Sequence, residues 1–399
     1  MKIAFIVECF PRVSETFILD QITGFLDLGH EVVILSFWTP DRAQPVHDDV
    51  NRYQLPERTE YLHYTPGPWR GRMQRWLYGA RHLPAALMRR ARKASPAIPL
   101  RLLLGRHLQK VIPLVRHTVD VIYCQFGTTA KEFAFLAPHL DVPWVVAFWG
   151  YDVELLPEEK PGVYDDVFTA FDLCCTPSQY LAEKLLRLGC PRERLLIQRI
   201  GLKTAHMLES PPKREQSPIK LLSVGRLVPE KGFHLSIEAV CRLRGSFVYR
   251  IIGDGPERSK LEELIRQARL TDRVTLVGAQ PREQVFRSMA ESDIYVCPSL
   301  RESYGVANLE ASYFRLPVIA SRVGGVPEIV HHGVTGWLVP PGDVAALAAH
   351  IQQLMDEPQL RYQMGNAGHD RVLSQLNQEQ LMKHLEAHFL RLINRPARG

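Results

Sequence analysis

The chain has 399 residues, 46% apolar and 23% charged, which excludes a disordered or fibrous protein and exceeds one ordinary core. No apolar stretch approaches the roughly 18 residues of a membrane-spanning helix, which sets aside an integral membrane protein. The formal net charge is only +6, but it is unevenly spread.

The first apolar run, Ile3 to Val7, is broken by Glu8 and lacks a small-residue cleavage site, so it reads as a first strand rather than a signal peptide. Further runs rich in Val and Ile alternate with helical patterns. In the first half they are Lys2–Phe10, Glu31–Phe37, Asp120–Phe126, Trp144–Phe148, Leu173–Thr176 and Arg194–Ile200. In the second half they are Ile219–Gly225, Val248–Gly253, Val274–Gly278, Ile294–Pro298, Pro317–Ala320 and Gly336–Val339. Continuous apolarity, without alternation, suits strands buried on both faces of a parallel sheet covered by helices. The repetition predicts an α/β protein with two doubly wound, Rossmann-like domains facing across a cleft.

The proline-rich stretch Ser210–Pro218 reads as a linker, with the boundary between Leu202 and Pro218. The predicted domains are 1–205, 206–370 and a terminal helical segment 371–399. That last segment either caps the second domain or crosses back to the first.

The seven cysteines, Cys9, Cys124, Cys174, Cys175, Cys190, Cys241 and Cys297, lie among apolar residues and show no metal-ligand spacing. They are expected to be buried reduced thiols in a cytosolic protein, which argues against a disulfide scaffold or structural zinc protein.

Between Glu60 and Asp120 there is no acidic residue but twelve basic ones: Arg70, Arg72, Arg75, Arg81, Arg89, Arg90, Arg92, Lys93, Arg101, Arg106, Lys110 and Arg116. Since 6 minus 12 is −6, the rest of the chain is net acidic. Leu100, Leu104, Leu108, Val111 and Val115 fall on one helical face, and Trp69, Trp76 and Leu77 lie among the upstream arginines. This composition favours an anionic membrane surface. The plainer reading is an aliphatic stripe packed on the sheet beside solvated arginines. Nucleic acid is not expected, because no recognised binding module is present.

Three motifs carry chemistry. In Ser223–Gly232, a strand ends and Arg226 and Lys231 follow before a helix, which reads either as an anion site suited to a diphosphate or as a solvated loop. Ile251–Pro256 is a second strand followed by a glycine turn at Gly253. It lacks the third glycine of a nicotinamide fingerprint. In Pro298–Tyr313, Glu302 and Glu310 are eight apart, and eight helical residues would turn them about 80° from one face. They converge only with Glu302 in a loop and Glu310 on the helix that follows. Ionised carboxylates accept hydrogen bonds, so such a pair suits sugar hydroxyls.

With Pro317–Glu328 and Gly333–Asp343, these motifs resemble glycosyltransferase family 4, of GT-B fold, across Leu221–Asp343. Glu8–Asp20 and Leu28–Val32 are similar to the opening of bacterial exopolysaccharide and colanic-acid-type members. The resemblance implies a retaining, metal-independent transferase using a nucleotide-diphosphate sugar and no cofactor. It implies that Arg226 and Lys231 hold the diphosphate, that Glu302 lies beside the transferred sugar, and that Glu310 binds the ribose. Ser303, Tyr304, Gly305 and Val306 would supply backbone contacts to sugar and phosphate. No DxD carboxylate pair stands in a suitable loop.

On the acceptor side, Pro11, Ser14, Glu15, Gln125, Trp149, Gly150 and Asp152 are expected to line the cleft. His30 is read as a structural turn residue. Two positions depart from many relatives: Gln125 and Trp149 stand where those carry histidine. Trp149 only donates a hydrogen bond, so it is read as an apolar wall, a sugar-stacking face or a structural residue.

The expected activity is hexosyl transfer to a saccharide, lipid-linked acceptor in bacterial surface polysaccharide synthesis. The expected location is cytoplasmic, peripheral at the inner face of the plasma membrane. The competing readings are a soluble acceptor, such as a sugar phosphate or glucan, and a non-catalytic sugar-nucleotide or membrane-binding protein.

Overall fold

A computed structural model describes residues 1–12, 15–40, 47–62, 108–204, 207–208 and 217–395. Thirteen strands lie among them. The first seven are β1 (Lys2–Cys9), β2 (Glu31–Trp38), β3 (Thr59–Tyr61), β4 (Val121–Gln125), β5 (Trp144–Ala147), β6 (Leu173–Thr176) and β7 (Leu195–Ile197). They form a parallel sheet in the order β3-β2-β1-β4-β5-β6-β7. The register of its central pair sets Ile3 beside Val32 and Phe5 beside Ile34.

The other six are β8 (Ile219–Val224), β9 (Phe247–Ile252), β10 (Val274–Gly278), β11 (Ile294–Cys297), β12 (Val318–Ser321) and β13 (Gly336–Val339). Their order is β10-β9-β8-β11-β12-β13, again all parallel. Each sheet reverses its winding once, between β1 and β4 in one and between β8 and β11 in the other.

Every one of the twelve apolar runs coincides with one of these strands to within three residues at either end. The physical reason is the burial of both faces: Ile3 to Val7, all four residues of β5 and all four of β12 are buried. The strand with no such run is β3. It is a three-residue edge strand, half-exposed and polar, so neither alternation nor continuous apolarity marks it.

The chain divides into two units. Met1–Pro177, Ala182–Gln198 and Glu379–Gly399 form the first, and Ser178–Leu181 with Arg199–Gln378 form the second. In the second unit, Leu221, Tyr249, Ile251, Ile294, Val296 and Ile319 centre the core under the flanking helices. One of these, Val344–Asp356, starts where Asp343 accepts the Ala346 N–H at 2.9 Å. That N-cap is typically worth about 1 kcal/mol. In the first unit, the last helix, Gln378–Ile393, brings Phe389 onto Phe25, with ring centroids 5.3 Å apart. His30 contacts Glu386 of that helix at 2.6 Å and the Met1 amine at 3.3 Å, so it ties both chain ends beside β2.

All seven cysteines are free. Cys124, Cys174, Cys175 and Cys190 are buried and Cys9 and Cys297 partly so, but Cys241 is exposed. It follows the last turn of the Phe233–Val240 helix on the outer side, which corrects the expectation that all seven are buried.

Of the basic block, residues 70–106 lie outside the described residues, as do Trp69, Trp76, Leu77, Leu100 and Leu104. Lys110 and Arg116 are described, on the Leu108–His117 helix. Lys110 is buried and pairs with Glu132 at 2.6 Å, and Arg116 pairs with Glu60. These two are internal ties, not solvated charges. Val111 on the same helix is buried, as the packed-stripe reading predicts. Among the described residues no helix is long and apolar enough to cross a membrane.

Candidate functional site

In doubly wound sheets the loops at the carboxyl ends of the strands beside the winding reversal are where ligands bind. In the second unit those loops follow β8 and β11, and they carry Arg226–Lys231 and Leu300–Gly305.

The two loops are fastened together through the backbone. The Leu300 and Arg301 N–H groups donate to the Glu230 carbonyl at 2.8 and 3.3 Å. Gly232 sits at φ 62°, and a Cβ there would stand 2.3 Å from the Pro298 carbonyl oxygen, so only glycine allows the approach. A second tight contact fixes Glu302. Gly324 has φ 51°, and a Cβ on it would fall 1.6 Å from the Glu302 carbonyl oxygen. The Gly325 N–H also donates to that oxygen at 3.3 Å.

On this frame the Lys231 ammonium donates a hydrogen bond to the Glu302 carboxylate. Their side chains are 25% and 14% exposed, so the pair is largely withdrawn from water yet reachable from one side. Burial, the largest single influence, would lower the Lys231 pKa, but the charge and hydrogen bond of Glu302, with Cys297, together outweigh it and raise the pKa. Arg226 is exposed on the same loop, and its positive charge acts against that rise. The structure thus joins Lys231 to Glu302 and leaves Arg226 nearby without joining it to either.

Glu302 lies in the loop and Glu310 on the Val306–Tyr313 helix. Gly305 caps that helix at φ 92°, with its first-turn N–H groups at the same end as Lys231. Ser303 and Val306 are half-buried. Tyr304 is buried and donates its hydroxyl to the Ile200 carbonyl at 3.0 Å, so it offers the site only its backbone. Gly253 packs against the β8 loop, where a Cβ would overlap the Gly225 carbonyl oxygen at 1.8 Å. That contact accounts for the glycine structurally.

Arg282, absent from the sequence reading, donates to Glu310 at 3.3 Å. It starts the helix after β10, 28 residues away, and no spacing or motif announces the contact.

In the first unit the corresponding loops follow β1 and β4, and the loop after β5 lies next to them. Pro11 and Glu15 are partly buried, and Ser14 lies outside the described residues. Glu15 accepts from Arg12 at 3.1 Å. Burial raises its carboxyl pKa, although Arg12 opposes the rise. Gln125, fully buried at the end of β4, donates to Gln21 at 3.2 Å. Trp149 is buried, with its ring centroid 4.2 Å from that of Phe17.

Gly150 opens the short helix that carries Asp152. Asp152 accepts the Trp149 N–H at 3.2 Å and the Tyr164 hydroxyl at 3.3 Å. It also accepts the Gly127 and Thr128 N–H groups. Burial pushes its pKa up to about 6 despite these four donors. Asp152 therefore ties the loop after β4 to the loop after β5. Among the described residues no group of three or more His, Cys, Asp or Glu side chains could hold a metal ion.

Residues 14–200 match the glycosyl transferase 4-like domain, and residues 208–371 match the glycosyl transferases group 1. The chain is 33% identical over 369 residues to a putative colanic acid biosynthesis glycosyltransferase, WcaL, of Escherichia coli, covering 88% of this chain and 90% of that one. It is 32% identical over 380 residues to the amylovoran biosynthesis glycosyltransferase AmsK of Erwinia amylovora, covering 89% and 90%.

Among solved structures it is similar to Anabaena HepE in complex with UDP. The TM-score is 0.75 at 18% identity, over 98% of this chain and all of that one. Sucrose-phosphate synthase from Thermosynechococcus elongatus gives 0.73 at 20% identity, covering 98% and 99%. With two parallel doubly wound sheets and relatives matched over nine-tenths of their length, this chain belongs to glycosyltransferase family 4 and has the GT-B fold.

Proposed function

We propose that this glycosyltransferase moves a sugar, with retention, from a nucleoside-diphosphate sugar to a lipid-linked saccharide during bacterial exopolysaccharide assembly. The observation that carries the donor half of this reading is the joining of Lys231 and Glu302 beside the winding reversal of the second sheet. The pathway half rests on the relatives, which are named for colanic acid and amylovoran synthesis. UDP bound to HepE, of the same fold, supports a nucleotide-sugar donor.

Departure of a nucleoside diphosphate builds negative charge on phosphate oxygens. Lys231, Arg226 and the N-terminal amides of the Val306–Tyr313 helix stabilise that charge as it develops. Glu302 accepts hydrogen bonds from hydroxyls of the transferred sugar, and Glu310 from the ribose. We infer that these cations do the work a divalent metal does elsewhere, so turnover persists in a chelator. Retention follows from the family resemblance.

A transfer assay with nucleotide sugars and a lipid-linked acceptor, read with the anomer of the product, tests the reading. Lys231→Ala is expected to lower kcat by about 10²–10³-fold, the usual effect of removing one preorganised charge-stabilising donor. Turnover at wild-type rates in Lys231→Ala and Glu302→Ala would remove the donor-site assignment.

Residues 64–107 carry ten of the twelve basic residues, and we infer that this block docks on an anionic membrane surface, where a lipid-linked acceptor resides.

A further inference from the structure

Lys231 and Glu302 are assigned above to different parts of one donor, the diphosphate and the sugar, yet they are bonded to each other. Their backbones have little room to move. The Lys231 loop is held to the end of β11 through Glu230 and Gly232, and the Glu302 carbonyl is wedged against Gly324 and Gly325. Any exchange of partners at this pair therefore takes place in the side chains alone. The four-carbon stem of lysine can swing, and the glutamate can turn about its own bonds.

We propose that Glu302 competes with the diphosphate for the Lys231 ammonium and, by reclaiming it after sugar transfer, speeds release of the nucleoside diphosphate. The idea rests on the donor-site reading above and extends it to product release. A nucleotide sugar compensates both partners for their separation: phosphate oxygens for the ammonium and sugar hydroxyls for the carboxylate. The product compensates only one. Once the sugar has left, Glu302 is an accept-only carboxylate, 14% exposed, beside a second anion and without its hydroxyl donors. Its nearest cation is Lys231. The same pair thus opposes the diphosphate alone more strongly than it opposes the intact donor.

Calorimetric titration of the full chain with UDP, GDP, ADP and inorganic diphosphate tests this. Wild type, Glu302→Gln, Lys231→Met and the double variant are compared, with thermal melts to verify folding. Glu302→Gln keeps the side-chain shape while removing the competitor. It is expected to bind the nucleoside diphosphate about tenfold tighter than wild type, the scale of one charge-assisted hydrogen bond. Lys231→Met should bind it more weakly, and Glu302→Gln should add nothing on that background.

Unchanged or weaker binding by Glu302→Gln overturns the proposal. So does a gain that persists beside Lys231→Met, because plain charge repulsion would then explain it. Glu302→Ala, which frees Lys231 equally, is run in parallel so that one misfolded variant does not decide the result. Wild type that binds none of the four probes, or Lys231→Met that binds like wild type, would instead overturn the donor-site reading itself.

Discussion

Asp152 is a carboxyl with none of its surface exposed and four donors aimed at it, and its pKa still rises from 3.8 to about 6. The sign of its effect on stability follows from linkage. Well below pH 3.8 the group is protonated in both folded and unfolded chains. As pH rises from about 4 to 6 the unfolded chain loses the proton first, so stability falls through that window and is flat above it. The shift corresponds to roughly 3 kcal/mol at neutral pH. Asp152→Asn cannot ionise. The melting temperature of the variant relative to wild type should therefore climb between pH 4 and 6.5, whatever offset the lost acceptor introduces. A constant difference across that range would show that the carboxyl titrates normally.

Residue types alone separate some of these sites and not others. A lysine and a glutamate in two strand-end loops are legible from motif spacing, because each motif lies within one loop. The contact of Arg282 with Glu310 is not, because it joins the start of the helix after β10 to a helix residue 28 positions later. The role of Asp152 as a tie between two loops is hidden for the same reason.

At the scale of elements, the strands announce themselves, apart from one short polar edge strand. Burial of both faces gives an uninterrupted apolar run, whereas β3 is three residues long, polar and half-exposed on both faces. The last helix shows the opposite limit. Its apolar spacing marks it as helical, but the face it covers is set by residues more than 260 positions earlier. Phe389 is fully buried, between Phe25 at 5.3 Å and Tyr123 at 5.3 Å. Phe389→Ala is expected to cost about 3–5 kcal/mol and to lower the melting transition of the first unit by roughly 10 °C. A change of a degree or two would mean that the helix contributes little to that unit.

For the whole molecule, a small net charge conceals a basic block and an acidic remainder. Lys110 and Arg116 show that part of the block is used inside the first unit, against Glu132 and Glu60. The docking role proposed above therefore falls to the ten basic residues between positions 64 and 107. Each near a membrane surface contributes about 1 kcal/mol. Replacing Arg89, Arg90, Arg92 and Lys93 together should abolish sedimentation with phosphatidylserine-containing vesicles while neutral vesicles show none throughout. Binding that survives the replacement would place the membrane contact elsewhere.

The amino-acid sequence by itself determined that this is an α/β chain with two parallel sheets, because strands buried on both faces leave a continuous apolar signature. It also determined which loops carry cations and carboxylates, since those motifs are local. Only the tertiary structure decided that Lys231 bonds to Glu302, that Arg282 reaches Glu310, and that the final helix joins the unit where the chain begins. Each of these depends on close approaches between distant segments, made in the first case by glycines at strand ends and in the last by aromatic rings in a shared core. A one-dimensional pattern has no term for such distances.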